Sequence, residues 1–231
     1  MLDLASRYKK ALKIDRLLEL SGENQPICLL EVGTGSGGIA QYFTDHEIMD
    51  FKVTAVDVVD QRLLRDKYDF VLVQDTHLPF ADQSFDVVIS NHVIDHVGDR
   101  HAQSHHLSEI YRVLKKNGVG YFSVFNRWMI VEPHYQLMFL SWLPRNFRTR
   151  YLQLRKRGDF YDCEPLTKRE LETLFKDNKL VYRNICTRAL RETLSIEKNH
   201  GKITAFIGKL PYPILDWLSA LSPTLIYKLR R

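Results

Sequence analysis

Residues 27–40 read Ile-Cys-Leu-Leu-Glu-Val-Gly-Thr-Gly-Ser-Gly-Gly-Ile-Ala. An apolar run that meets glycines at 33, 35, 37 and 38 is a buried strand that stops in a tight turn. The apolar pattern resumes at Ile39 and predicts a helix over 39–45. Glycines permit positive φ and let a ligand approach the main chain, and a helix N-terminus behind them attracts charge. Strand, glycine turn and helix in that order form the first half of a βαβ unit, which commits the chain to a sheet with parallel strands.

The rest of the chain repeats the alternation. Short β-branched runs at 51–56, 69–74, 85–90 and 119–125 predict four more strands, and 180–187 and 203–209 are two further candidates. Helices are expected over 4–20, 59–67 and 100–116, the last stopped by Asn117-Gly118. Thr167-Lys168-Arg169-Glu170 is a capping box opening a helix to Lys176. The fold class that follows is α/β: a doubly wound, seven-stranded, mostly parallel, Rossmann-like sheet with an antiparallel last strand. At 231 residues, with 45% hydrophobic and 26% charged side chains, the chain reads as a single domain of ordinary globular composition. Its parts are an N-terminal helix within 1–22, an aromatic and basic insertion at 126–166, and an apolar segment with a basic end at 211–231. Cys28, Cys163 and Cys186 are too widely spaced for a disulfide framework or a zinc pattern. Met1 is followed by Asp3 and an amphipathic segment, not by the apolar core of a leader. A cytoplasmic location is expected, with the inner membrane surface as a second option.

The glycine turn fits two ligand patterns. Gly33, Gly35 and Gly38 match the G-x-G-x-x-G of dinucleotide sites, while Glu31, Gly33, Gly35 and Gly37 match E-x-G-x-G-x-G. Asp57, ending the second strand, suits either, because an acid there accepts from ribose hydroxyls. Glu31 separates them: a carboxylate repels a pyrophosphate and favours a cationic group. Asp75 follows the third strand and precedes Leu78-Pro79-Phe80, an acceptor for an exocyclic amine beside apolar surface for a flat ring. Asp86, at the start of the fourth strand, is read as structural.

Together with Ser84-Phe85-Asp86 and the run from Arg112 to Gly118, these motifs resemble the class I S-adenosylmethionine-dependent methyltransferases, nearest their type 11-like subgroup, over about residues 26–126. The resemblance implies S-adenosyl-L-methionine as cofactor and S-adenosyl-L-homocysteine as product. It implies Glu31, Gly33, Thr34, Gly35 and Gly37 at the methionyl end, Asp57 and Val58 at the ribose, and Asp75, Thr76 and His77 at the adenine. Asn91 and His92 would adjoin the methyl-transfer centre. His92 and His134 are the candidate catalytic residues, His134 as a base toward a hydroxyl.

Methyl transfer from a sulfonium is an in-line displacement in which alignment carries most of the rate, so no triad is required and no metal is expected. The histidine spacings 92/96 and 101/105, with His106 adjacent, read as a solvated helix face and a loop. Ser90-Asn91-His92-Val93 is not the N-P-P-Y-like box of amine methylation on nucleic acids, and no cysteine stands in the fourth- or fifth-strand motifs for attack on a pyrimidine. A small-molecule, sugar or lipid-linked acceptor remains, methylated on oxygen or carbon. Residues 133–158 contain no Asp or Glu but hold Arg145, Arg148, Arg150, Arg155, Lys156 and Arg157 behind an apolar stretch. Lys228-Leu229-Arg230-Arg231 closes the similar segment 211–231, and both resemble anchors for an anionic membrane or lipid phosphate. The alternatives are a nucleic-acid (RNA) methyltransferase using the basic run 145–157, and a non-catalytic cofactor-binding protein, against which intact Glu31, Asp57 and Asp75 argue.

Overall fold

A computed structural model of the chain describes residues 4–20, 26–197, 210–211, 214–215 and 222–231. The first half runs α1 (Leu4–Leu18), β1 (Ile27–Val32), α2 (Gly38–Thr44), β2 (Phe51–Asp57), β3 (Asp69–Leu72), β4 (Phe85–Asn91), α3 (Arg100–Val113) and β5 (Leu114–Phe125). The insertion supplies a hairpin of β6 (Val131–Glu132) and β7 (Leu137–Met138), a 3-10 turn over Leu140–Trp142, and α4 (Arg145–Leu154). Then come α5 (Lys168–Asp177), β8 (Val181–Asn184), α6 (Cys186–Ile196) and β9 (Thr224–Arg230).

Seven strands make one sheet in the order β3-β2-β1-β4-β5-β9-β8. The first five pair in parallel, and β9 runs antiparallel to both β5 and β8. This is the doubly wound, mostly parallel, Rossmann-like sheet expected from the sequence, with a reversed last strand. Strand order turns back between β1 and β4, and in such sheets the crevice outside the carboxyl ends at that point takes the ligand. Val32 pairs with both Val56 and Ser90, so β1, β2 and β4 end level with one another.

Side chains alternate between two cores. Leu30, Val88, Phe122, Val124 and Tyr227 pack with the buried faces of α3 and α5; Leu29, Val87, Ile89, Tyr121 and Ile226 pack with those of α1, α2 and α6. Asp86 is structural, accepting from Cys28 N at 3.0 Å and Lys115 Nζ at 2.8 Å. The capping box forms as expected: Glu170 N donates to Thr167 Oγ1 and Thr167 N to Glu170 Oε2.

Four sequence expectations are corrected. Residues 59–67 are not a helix; Val58, Val59 and Leu63 are all more than half exposed, so no buried face holds a helix there. Leu63 N instead donates to Ser36 O at 3.0 Å, laying this loop on the glycine turn. The helix over 100–116 stops at Val113, because Leu114 turns extended, pairs with Phe85 and is fully buried. Asn117-Gly118 therefore lies within β5. The strand proposed at 180–187 is only Val181–Asn184; Asn184 Oδ1 accepts from Cys186 N at 3.0 Å and the chain turns into α6. The candidate at 203–209 lies outside the described residues. The antiparallel strand is the C-terminus itself: Leu225, Ile226, Tyr227 and Leu229 are buried, so 224–230 is sheet and not a membrane anchor. Among the described residues no helix is long and apolar enough to cross a membrane.

Candidate active site

The glycine turn closes around Glu31. This carboxylate is 1% exposed; its Oε2 accepts from Thr34 Oγ1 at 2.7 Å and from Ala40 N, in the first turn of α2, at 2.9 Å. Burial pushes its pKa up to about 8, and those donors, with the Arg7 guanidinium of α1, offset the shift only in part. Both donors are neutral, so the carboxylate has no cation bonded to it. Gly35, at φ +55°, donates its N–H to Asp57 Oδ2 at 2.8 Å, and Val58 N donates to Asp57 Oδ1 at 2.8 Å. Gly37, at φ +80°, has no room for a Cβ, which would strike the Tyr68 hydroxyl and Leu64 carbonyl. Ser36 Oγ is buried with no hydrogen-bond partner. A buried acid without a cation, a second acid at the neighbouring strand end and an orphaned hydroxyl form a cradle that fits a ligand bearing an ammonium group and a ribose.

Thr34 is thereby a positioning residue for Glu31, its hydroxyl already committed. Asp75 lies exposed beyond β3, and its Oδ1 accepts from His77 N at 2.7 Å. The loop it opens is fastened by α3. Leu78 N donates to Glu109 Oε2 at 2.8 Å, and His77 Nδ1 lies 3.2 Å from the same oxygen. Thr76 Oγ1 meets His105 Nδ1 at 2.6 Å. Arg112 binds Glu109 through Nε at 2.6 Å and Nη2 at 2.7 Å, and donates to the Leu78 carbonyl at 2.8 Å and the Phe80 carbonyl at 2.6 Å. The Glu109–Arg112 clamp was absent from the sequence reading; an acid and an arginine three apart on one helix face was the available signal.

On the other side of the crevice, Asn91 Oδ1 accepts from Ser123 Oγ at 2.8 Å, joining β4 to β5. His92 adopts φ +58° and donates its N–H to Ser123 O at 2.9 Å, a left-handed step that swings its ring onto Phe125, centroids 4.0 Å apart. Its Nδ1 is buried without a partner, and burial, with Lys10 and Lys13 of α1 nearby, holds its pKa well below the usual imidazole value. The His92 residue is half-buried, with its Nδ1 sealed, while His134 is exposed, edge-on to the same Phe125 ring at 5.6 Å. The two expected histidines meet across Phe125, His134 the more exposed of the two.

The insertion has its own small core of Leu137, Leu140, Leu152, Tyr161 and Cys163. Outside it, Trp142 packs edge-on to Trp128 at 5.5 Å and Phe139 at 5.0 Å, all three more than 40% exposed. The basic run divides: Arg145 and Arg148 are bound to Glu164, whereas Arg150, Arg155, Lys156 and Arg157 are exposed. Among the described residues neither His101 nor His105 joins a ligand set, and His106 is buried beside Ser90 Oγ at 3.1 Å.

Residues 30–122 match a family model described as a methyltransferase domain. The chain is 30% identical over 115 residues to the malonyl-[acyl-carrier protein] O-methyltransferase of Yersinia pestis, covering 47% of this chain and 40% of that one. It is 33% identical over 110 residues to phthiotriol/phenolphthiotriol dimycocerosates methyltransferase 1 of Mycobacterium ulcerans (strain Agy99), covering 44% and 37%. The matched part is less than half of either relative. In fold the chain is similar to phosphoethanolamine N-methyltransferase 2 of Haemonchus contortus, solved with phosphomonomethylethanolamine and S-adenosylhomocysteine: TM-score 0.53, 18% identity, 95% of this chain and 51% of that one.

Proposed function

We propose that the chain is a class I S-adenosylmethionine-dependent methyltransferase and that it methylates an oxygen or carbon of a small-molecule or lipid-linked acceptor lying between the ends of β4 and β5 and the insertion. S-adenosyl-L-methionine supplies an activated methyl group on a sulfonium. Glu31 receives the cationic amino-acid end, Asp57 the ribose hydroxyls, and Asp75 with the main chain of Thr76 and His77 the adenine, against Leu78 and Phe80. Asn91 and the ring of His92 form the wall beside the reacting centre. These groups align and shield the reactants, and alignment is the larger share of this catalysis. The observation that carries the reading is the buried Glu31 at the glycine turn, whose hydrogen-bond donors are both neutral.

Two features support an anionic or membrane-borne acceptor. Lys10 and Lys13 of α1 bring positive charge toward His92, and burial beside Arg7 and Lys13 lowers the Lys10 pKa to about 8. The exposed Trp128–Phe139–Trp142 cluster stands with the free cations of 150–157 on the insertion, a combination suited to an anionic lipid surface. Calorimetry with S-adenosylhomocysteine tests the cofactor site, with binding expected in the wild type and a loss of at least tenfold in Glu31→Gln. Transfer of a labelled methyl group from S-adenosylmethionine to carboxylated, phosphorylated or lipid-linked acceptors tests the rest. Absence of S-adenosylhomocysteine binding would overturn the reading; binding without transfer to any of these acceptor classes would overturn the acceptor assignment alone.

A further inference from the structure

We propose that Asp95, His96, His134 and Cys163 form a transition-metal site of the zinc class that pins the insertion to the sheet. One ligand atom from each residue, a carboxylate oxygen, two imidazole nitrogens and a thiol sulfur, lies within 4.8 Å of all the others. Cys163 Sγ is 3.6 Å from His96 Nδ1, His96 Nε2 is 3.8 Å from Asp95 Oδ2, and the His134 ring stands edge-on to His96 with centroids 5.1 Å apart. The four residues come from three segments: the loop after β4, the β6–β7 hairpin, and the stretch before α5.

A second observation points to a cation. Asp95 is 1% exposed, and its Oδ1 has no hydrogen-bond partner. An orphaned buried carboxylate oxygen carries its full desolvation cost, which a bound cation removes. The donor set selects the ion. Imidazoles, one thiolate and one carboxylate suit tetrahedral Zn2+ or its stand-in Co2+, not Mg2+ or Ca2+, which take oxygen ligands. Neighbouring groups already hold the ligand segments together. Glu164 N donates to Asp95 O at 2.8 Å, and the buried Gln103 amide donates to Glu164 O at 2.9 Å and Ile94 O at 3.4 Å. His96 and His134 are exposed, giving an ion a path from solvent.

Binding forms the sulfur–metal bond as the Cys163 proton leaves to solvent, with no change of oxidation state. The ion also takes the free lone pair of His134. A metallated His134 cannot serve as a base, so its role becomes structural. The site does not depend on methyl transfer, and metal binding is read without an activity assay.

The test uses tag-free protein stripped with EDTA and titrated with Co2+. One equivalent is expected, with visible d–d bands and a near-ultraviolet thiolate-to-cobalt band, both displaced by Zn2+. Cys163→Ser should abolish the near-ultraviolet band, and Cys28→Ser should leave it intact. His134→Gln, at an exposed position, should weaken Co2+ binding by at least about tenfold without affecting folding. No Co2+ band in the wild type, a band that survives Cys163→Ser, or unchanged affinity in His134→Gln would each overturn the site.

Discussion

Glu31, Asp57 and Asn91 stand at or beside the ends of paired strands in the middle of a seven-stranded sheet, whereas His134, Trp142 and Cys163 stand on a hairpin with two-residue strands, a 3-10 turn and an extended loop. The first group is backed by two large cores, the second by a satellite cluster of five buried side chains. Both regions border the same crevice. A constant ligand can be held by residues that the strand register places level with one another. On the proposed function, an acceptor that differs between enzymes would be met by segments whose positions depend on side-chain packing and not on the ladder.

Core truncation separates the two regions most strongly. Leu30→Ala, in β1, should lower global stability by about 3 kcal/mol in denaturant unfolding. Leu152→Ala, in the satellite core, should cost about 1–2 kcal/mol, raise the acceptor KM, and leave S-adenosylhomocysteine affinity unchanged. Equal costs with parallel effects on both ligands would break the comparison.

Glu31→Gln comes next, with S-adenosylhomocysteine affinity falling about 30-fold, as expected for losing one partner of a buried charge pair. The folded protein keeps the Glu31 proton between pH 4.5 and about 8, where the unfolded chain has lost it. The Glu31 contribution to stability without ligand therefore declines as pH rises through that window. A ligand ammonium needs the ionised acid, so affinity should climb toward pH 8 in the wild type and be flat in the variant. Identical profiles would refute the assignment.

Arg112→Gln removes the clamp on the 78–80 loop from behind and should weaken S-adenosylhomocysteine binding roughly fivefold with little change in acceptor KM. Comparable in size but confined to the insertion is Arg155→Ala: about 1 kcal/mol in co-sedimentation with anionic vesicles, and nothing in cofactor affinity. A matching loss with neutral vesicles would remove the electrostatic reading of that surface.

The turn and strand ends proposed to hold the cofactor were legible because their signals are local. Glu31 and the glycines sit in one turn, Asp57 and Asp75 follow short apolar runs, and each strand carries its own β-branched pattern. Where local signals compete, the reading failed. Asn117-Gly118 looks like a helix stop, but burial of Leu114 against Phe85 starts β5 earlier. The C-terminal Leu-Ile-Tyr-Lys-Leu-Arg-Arg looks like a membrane anchor, because a strand flanked by β5 and β8 buries its apolar residues on both faces and loses the alternation that would mark it.

Sequence alone determined the fold class, the glycine turn and the presence of an acid beneath it, since periodicity, positive-φ glycines and a carboxylate at a fixed offset act over a few residues. Only the tertiary structure decided which strand closes the sheet, that His92 stacks on Phe125 with its Nδ1 buried while His134 is exposed, that Arg112 fastens the loop beyond Asp75, and that Asp95 and His96 meet His134 and Cys163. Those outcomes rest on contacts between segments far apart in the chain, whose energies come from burial and pairing that no single segment contains.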